Sequence, residues 1–461
     1  MSTNSADNVV HLNEVIVAMV PFPDYSHLNQ LFLLARLIAS HDIPVHFLCQ
    51  AEWNQDLKLR VQGGLGASNI HFDDLVITSA PTEKDVVFCD GQPPDLVFLQ
   101  ELWEPIHKTC LQLSTNAKRL VIIQDIIMSG HIWYVCKLPN VMSYSFHAGS
   151  TFNKYSSLQQ SIADIVDDDH EKLVEQMQDE FPLTHDKLFV RKEHELKFQS
   201  GEIMNSCKEV EGKYPDLLAN TKDRPLWAFG PFHMLLESHE SVSSTSSNMT
   251  SHECLKFLDK QDVNSVLLVS FGSTTTLSQE QVNEIALGLE QSNHIFIWVL
   301  RKGNDVQKLE EKDVKIELPE GFEDRVKGRG MVVRNWAPQL EILGHSSTGG
   351  FLSHCGWNSC IESMSMGVPL AAWPISYDQP YNAILLTKLL KIGISVKSWA
   401  RREELVTAST IEKAVKKLMG TTVGEEMRQR AVELSKKIKT SVSHGGPARK
   451  EMESFIADII N

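Results

Sequence analysis

Residues 336–379 read WAPQLEILGHSSTGGFLSHCGWNSCIESMSMGVPLAAWPISYDQ. The order of strands, turns and helix in this stretch predicts the fold class of the chain. Two glycines open a brief apolar strand, Phe351–Ser353, which ends in a tight turn. From Trp357 onward the apolar residues have helical spacing, and Leu370–Trp373 is predicted as a second short strand. This order of strand, glycine turn, helix and strand predicts an open α/β sheet, in which ligands bind outside the carboxyl ends of the strands.

The turn before the predicted helix is a candidate anion site, because a helix N-terminus after a glycine turn offers N–H groups and the positive end of a dipole. Five residues occupy this position: His354, Gly356, Trp357, Asn358 and Ser359. A similar Gly-Ser turn, ending at Ser273, follows the predicted strand Ser265–Ser270. Such turns also occur in α/β proteins without a ligand, so the turns alone leave a diphosphate cradle and a purely structural role open.

The first half of the chain opens with a strand, a loop, a helix and a second strand, as a parallel sheet does. The strands are Glu14–Val20 and Pro44–Cys49, and the helix is Leu28–Ala39. His27 lies at the junction of loop and helix, beyond the carboxyl end of the first strand. Ligands are expected at this end of such a sheet.

A carboxylate ends the next buried strand, Leu120–Gln124, which is followed by Asp125. This side chain either caps a helix or belongs to a site, and the pattern leaves both interpretations open. Because His27 and Asp125 are both predicted at strand carboxyl ends of one sheet, they could meet.

A Ser-rich run of low hydrophobicity, residues 237–252, is predicted as a flexible linker. The length of 461 residues also favours two domains over one core. We predict an α/β protein of two Rossmann-like domains that face each other across a cleft, over residues 1–236 and 253–440. Residues 441–461 form a terminal helix.

The net charge of −15 argues against nucleic acid or an anionic membrane as partner. The eight cysteines form no CxxC pair, and no run of about 18 apolar residues occurs, so we expect a cytoplasmic chain without a membrane span. The sequence contains no HExxH, Cys/His metal spacing, GxSxG or GxGxxG. These absences weaken metalloenzyme, hydrolase and dehydrogenase interpretations.

Residues 336–379 resemble, in nearly every position, the signature box of the plant UDP-sugar-dependent glycosyltransferases of family 1. The resemblance rests on WAPQ, HCGWNS, Glu362, GVP and the closing Asp378-Gln379. HLNQ at His27, GGFLSHCGWNSC and SYDQP resemble the zeatin O-glucosyltransferase branch. The resemblance implies a GT-B fold, in which the first domain binds an acceptor, the second binds a UDP-sugar, and the terminal helix returns to the first domain.

The resemblance also implies a role for each residue of the box. Trp336 stacks on uracil, Ala337 and Gln339 contact base and ribose, and Glu362 binds the ribose hydroxyls. The remaining contacts divide into a diphosphate set and a sugar set: Ser273, His354, Gly356, Asn358 and Ser359; and Trp357, Asp378 and Gln379. A closing glutamine goes with glucose donors in the family, although UDP-xylose and UDP-galactose stay open.

In the family the histidine at the His27 position is the general base, and an aspartate at the Asp125 position orients it. This chain departs from the usual pattern at Ser26 and Gln30, where the family has Gly and Pro. His147 falls where many members have a Thr or Ser near the sugar, and a core histidine is an equal alternative.

The implied function is inverting transfer of glucose from UDP-glucose to a hydroxyl of a small lipophilic plant metabolite, either a cytokinin such as zeatin or a flavonoid or other phenolic. We expect a monomer that needs no cofactor or metal ion beyond the donor substrate. Three alternatives stay open: C-glycosylation, epimerisation on the same fold, and a UDP-sugar-binding protein without transfer activity.

Overall fold

The computed structural model describes residues 13–61, 69–77, 101–161, 172, 198–221, 223–240, 252–273, 275–300, 316–334 and 336–461. These residues form two compact units. The first draws on Met1–His147, Arg191–Ile203 and Met452–Asn461, and the second on Ala148–Val190 and Met204–Glu451. Most of the predicted linker, residues 241–251, lies outside the described residues, and its first four residues belong to a helix that ends at Glu240.

The strands of the first unit lie in the order β3-β2-β1-β4-β5-β6 within a sheet of seven strands. The strands are β1 (Asn13–Val20), β2 (Val45–Cys49), β3 (Ile70–Asp74), β4 (Ala117–Asp125), β5 (Val141–His147) and β6 (Gly201–Met204). The pairs from β3 to β5 are parallel. The central strands β1 and β4 are almost continuously apolar and buried, as parallel strands covered on both faces are.

Three α-helices of the first unit are α1 (Tyr25–Ala39), α2 (Ala51–Val61) and α3 (Trp103–Thr115), and 3₁₀ turns follow β4 at Ile126–His131 and Val135–Lys137. The Asp24 carboxylate caps α1 by accepting a hydrogen bond from the Ser26 N–H at 2.8 Å. This cap starts the helix three residues before the predicted Leu28. His27 therefore lies inside the first turn of α1.

After the short strand β7 (Leu226–Ala228), the second unit contains a sheet of six strands in the order β10-β9-β8-β11-β12-β13. The strands are β8 (Val266–Ser270), β9 (Ile295–Val299), β10 (Gly330–Val333), β11 (Thr348–Ser353), β12 (Leu370–Ala372) and β13 (Gly393–Ser395). Every neighbouring pair is parallel. Both sheets follow the doubly wound order, so the predicted α/β class is confirmed.

The helices after β5 are α4 (Thr151–Ser161), α5 (Lys208–Glu211), α6 (Tyr214–Asn220), α7 (Phe232–Glu240), α8 (Glu253–Leu258), α9 (Gln279–Ser292), α10 (Phe322–Arg325), α11 (Gln339–Gly344), α12 (Trp357–Met366), α13 (Gln379–Ile384), α14 (Ala408–Gly420), α15 (Thr422–Val442) and α16 (Pro447–Ile460). A π-helical turn, Leu385–Leu389, continues α13. None of the helices in the described part of the chain is both long and apolar enough to cross a bilayer.

The strand order changes direction between β1 and β4 in the first sheet and between β8 and β11 in the second. Loops that leave these neighbouring strands diverge to opposite sides and open a crevice at the carboxyl edge of each sheet. His27 and Asp125 follow β1 and end β4, and Ser273 and His354 follow β8 and β11. The candidate residues thus lie at the two positions where doubly wound sheets bind ligands.

Candidate functional site

His27 and Asp125 are in direct contact, although 98 residues separate them in the chain. His27 Nδ1 lies 2.7 Å from Asp125 Oδ2, with the histidine side chain 22% exposed and the aspartate 1% exposed. When the neutral ring donates from Nδ1 to this carboxylate, its lone pair lies on Nε2. The pair therefore has the arrangement of a general base and a group that holds its tautomer.

The contact follows from strand pairing. β1 and β4 are adjacent and parallel, with Val20 beside Gln124, so Asp125 comes level with the loop that leads into α1. The second Asp125 oxygen, Oδ1, accepts from the Ile127 N–H at 2.9 Å and caps the following 3₁₀ turn. One carboxylate oxygen thus caps the turn and the other contacts His27, and a role of Asp125 in a functional site stays a prediction.

The His354 ring lies between the two glycine turns of the second unit. A Cβ added at Gly272 or at Gly356 would come within 2.6 Å of His354 Nε2, so a side chain at either position would displace the ring. Gly272 also has a φ of 82°, which favours glycine. Burial lowers the pKa of His354 to about 4. The ring is therefore neutral near pH 7, and it can offer an N–H donor to an anion but no positive charge.

Helix α12 starts immediately after this turn, and Gly356, its N-cap, has no side chain with which to cap the helix. Asn358 and Ser359 stand in its first turn, where backbone N–H groups and the helix dipole favour an anion. Trp357 is 3% exposed, and its indole N–H donates to the Asn205 carbonyl at 2.9 Å. The indole is thus anchored to the protein.

Gln339 contacts one residue predicted at the ribose, Glu362, and one predicted at the diphosphate, Ser359. Its Nε2 donates to Glu362 Oε2 at 2.7 Å and to the Ser359 hydroxyl at 3.2 Å. Burial raises the pKa of Glu362 to about 7, against the opposing effect of the Gln339 hydrogen bond. Trp336 is 59% exposed and lies edge-to-face against His252 at 6.0 Å between ring centroids, and Ala337 beside it is buried.

Gln379, which is predicted to face the sugar, binds the backbone of the loop before α13. Its Oε1 accepts from the backbone N–H groups of Ile375 and Ser376 at 2.8 and 2.9 Å, so the amide oxygen holds the loop. Its Nε2 lies 3.4 Å from the Ser376 hydroxyl and is the end that can donate to a ligand. Asp378 Oδ2 accepts from Asn382 Nδ2 at 2.8 Å.

His147 ends β5 and lies 3.8 Å, Nε2 to Oε2, from Glu202 on β6. Both side chains are buried. This contact fits a histidine held in the core. In the sequence, His147 follows Phe146, which is paired with Asp125 on the neighbouring strand. A sugar-facing role for His147 stays a prediction.

Sequence reasoning did not single out two polar residues that the structure connects to Asp378, Asn382 and Ser150. Asn382 carries a weak signal, since it follows Asp378 by four residues and the two share a face of one helix. Ser150 carries none, because it lies 232 residues from its partner Asn382.

Comparisons with known proteins find similar chains and a similar structure. The family profile described as "Glycosyltransferase, N-terminal domain" matches residues 13–234. A zeatin O-glucosyltransferase from Phaseolus lunatus is 42% identical, over 98% of this chain and 98% of that protein. A zeatin O-xylosyltransferase from Phaseolus vulgaris is 41% identical, over 97% and 98%. The structure of Phytolacca americana UGT2 complexed with UDP-2fluoro-glucose and pterostilbene has a TM-score of 0.75 at 27% identity, over 97% of this chain and 99% of that one.

Proposed function

Since this chain belongs to the plant UDP-dependent glycosyltransferases, we propose that it transfers glucose from UDP-glucose to a hydroxyl of a small lipophilic plant metabolite, with inversion at the anomeric carbon. A cytokinin such as zeatin is the first acceptor to consider. The observation that carries the proposal is the 2.7 Å contact between His27 Nδ1 and Asp125 Oδ2. A protein that only bound a UDP-sugar would have no use for an oriented base.

In the proposed reaction His27 Nε2 takes the proton of the acceptor hydroxyl as that oxygen attacks the anomeric carbon. The bond between this carbon and the diphosphate oxygen breaks on the opposite face of the sugar, so the configuration inverts. Asp125 stabilises the imidazolium that forms. Atoms balance, because the hydroxyl proton ends on His27 and UDP leaves with the bonding electron pair.

Charge on the departing UDP is stabilised by groups at the turn between β11 and α12. His354 donates as a neutral imidazole, and the N-terminus of α12 supplies backbone N–H groups at Asn358 and Ser359. We propose that the transfer needs neither a cofactor nor an added metal ion. Undiminished turnover in a chelating buffer is the expected result.

We propose glucose as the donor sugar because the Gln379 amide can donate a hydrogen bond to a sugar hydroxyl. Overall identity does not separate the two candidate donors, because the glucosyl- and xylosyltransferase relatives are 42% and 41% identical. The acceptor is proposed from the same relatives, both of which are named for zeatin.

The proposal extends to a monomer in the cytoplasm. Seven cysteines in the described part of the chain are free of disulfides, which supports a reducing compartment. Sedimentation of the purified chain would test the monomer, and a dimer would overturn that part alone.

The test is a UDP-release assay with UDP-glucose, UDP-xylose and UDP-galactose against zeatin, flavonols and simple phenols. Products are checked by mass and by acid lability, which separates O-glycosides from C-glycosides. Turnover of UDP-glucose with zeatin is the expected result. Turnover only with UDP-xylose would overturn the donor, turnover only with phenolics would overturn the cytokinin, and UDP binding without any turnover would overturn the transfer itself.

A further inference from the structure

Asn382 lies at the centre of a buried hydrogen-bond chain beside the sugar end of the donor site. Its side chain has no exposed surface. Nδ2 donates to Asp378 Oδ2 at 2.8 Å and to the Cys355 carbonyl at 3.0 Å. Oδ1 accepts from the Ser150 hydroxyl at 3.0 Å. Because a carboxylate and a carbonyl only accept, the amide can face them with its NH₂ group alone, and its orientation is determined.

Ser150 makes a second hydrogen bond, which determines the direction of its hydroxyl hydrogen. It is the residue before α4, and its Oγ accepts from the Asn153 N–H at 3.0 Å, as an N-cap does. With its lone pair on the helix, the hydroxyl hydrogen is available for Asn382 Oδ1. The N-cap of α4 is thereby joined to the amide that holds Asp378.

A buried carboxylate fixes the helix that carries Ser150. Glu211 accepts from the N–H groups of Thr151 and Phe152 at 2.9 and 2.8 Å, and from the Ser206 hydroxyl. Burial raises the pKa of Glu211, and these hydrogen bonds oppose that shift. Together with Ser150, Glu211 satisfies the N–H groups of the first helical turn, which would otherwise have no partner in α4.

The loop before α4 also approaches Asp378 directly. A Cβ added at Gly149 would lie 3.6 Å from Asp378 Oδ2. The Asp378 carboxylate is partly exposed, and rotation about its Cβ–Cγ bond would change which oxygen faces a sugar. Asn382 opposes that rotation because it binds Oδ2 and is itself held at two other points.

From this geometry we propose that Asn382, held by Ser150, is a positioning residue that sets the orientation of the Asp378 carboxylate toward the donor sugar. The inference rests on the proposed function, since it concerns the sugar of the UDP-sugar. It assigns Asn382 no contact with the ligand. The same amide ties the sugar end to the turn before Gly356, through the Cys355 carbonyl.

The test measures binding to the full chain without an acceptor. Titration calorimetry gives the affinities for UDP and for UDP-glucose, and their ratio reports the contribution of the sugar. Asn382→Asp replaces the donor that faces Asp378 by an acceptor, and Ser150→Ala removes the hydroxyl that holds the amide. We expect each to lower the ratio of UDP-glucose to UDP affinity about tenfold, as the loss of one hydrogen bond to a charged group does.

Two further variants separate positioning from general stability. Ser150→Thr retains a hydroxyl and is expected to keep the wild-type ratio. Ser156→Ala removes another buried hydroxyl of α4, one that donates to the Phe152 carbonyl at 2.7 Å, and is expected to leave the ratio unchanged. Should Asn382→Asp fail to fold, Ser150→Ala decides the question.

An unchanged ratio in Ser150→Ala, or an equal change in Ser156→Ala, would overturn the positioning role. Failure of the proposed function would look different. A wild-type chain that binds UDP-glucose but transfers nothing would refute transfer and leave the ratio measurable. A wild-type chain that binds UDP but no UDP-sugar would overturn both.

Discussion

Gln339 Nε2 and Glu362 Oε2 lie 2.7 Å apart, at the start of α11 and within α12. Burial raises the pKa of this carboxyl to about 7, although the amide N–H favours the charged form. Without a nucleotide, Glu362 is therefore divided between its protonated and charged forms near neutral pH. A ribose, whose two hydroxyls can donate, would add hydrogen bonds that stabilise the charged form.

Glu362→Gln is expected to stabilise the unliganded chain above neutral pH. A carboxyl whose folded-state pKa is raised from 4.5 to about 7 makes the folded state bind more protons in that interval, so the free energy of unfolding falls as pH rises through it. The glutamine side chain of the variant does not titrate and so avoids this loss of unfolding free energy. The loss is on the order of 1–2 kcal/mol for a side chain that keeps some solvent contact. Thermal melts at pH 5 and pH 8 check this, and an equal change at both values would contradict it.

The affinity for UDP-glucose is expected to fall as pH decreases below about 7. Protonated Glu362 cannot accept from both ribose hydroxyls, so a group with a pKa of about 7 lowers the affinity up to about tenfold between pH 8 and pH 6. UDP-glucose is the appropriate ligand because its diphosphate does not titrate in this range. Calorimetry on wild type and Glu362→Gln tests the assignment, and a pH dependence that survives in the variant would refute it.

Gly272→Ala is expected to abolish detectable UDP binding in a chain that still folds. The added Cβ would lie 2.6 Å from His354 Nε2 and displace the ring from the diphosphate turn. Gly328→Ala is a matched control, since its φ of 87° is close to the 82° of Gly272, but the added Cβ has no neighbour within 4 Å among the described residues. Both variants carry backbone strain of about 1–3 kcal/mol, but only the first should lose UDP-dependent thermal stabilisation.

His27→Ala is expected to lower kcat by about 10²–10⁴-fold, the usual contribution of a general base, with little change in UDP affinity. His71→Ala offers a control, because this histidine is exposed and packs on His46 at 4.8 Å between ring centroids. Steady-state kinetics with saturating donor would check both. Near-normal turnover of His27→Ala would remove the base from the mechanism.

The two functions of Asp125 can be separated. Asp125→Asn keeps an oxygen for the Ile127 N–H, so the cap survives, but its NH₂ group cannot accept from His27 Nδ1. We expect a loss of kcat close to that of His27→Ala with an unchanged melting temperature. Asp125→Ala should lose the activity and also about 1 kcal/mol of stability from the missing cap. Equal melting temperatures for the two variants would contradict this division.

Much of the fold could be predicted because its signals are local. The strands at β1, β4, β8 and β11 are apolar runs bounded by polar or glycine turns, and each was placed within a few residues of its observed bounds. The family predicted from residues 336–379 is confirmed by relatives that match nearly the whole chain. Helix α14 was not predicted, and the start of α1 was placed too late because the cap at Asp24 was not recognised.

The sequence by itself determined which segments form strands and helices and which chemical groups follow each strand, since both depend on neighbouring residues. Only the tertiary structure decided which of these groups meet. Pairing of β1 with β4 brings His27 to Asp125, and packing of α4 brings Ser150 to Asn382 across 232 residues. A parallel sheet leaves no local trace of its strand order or register, because the partners come from distant segments and the whole core selects them together.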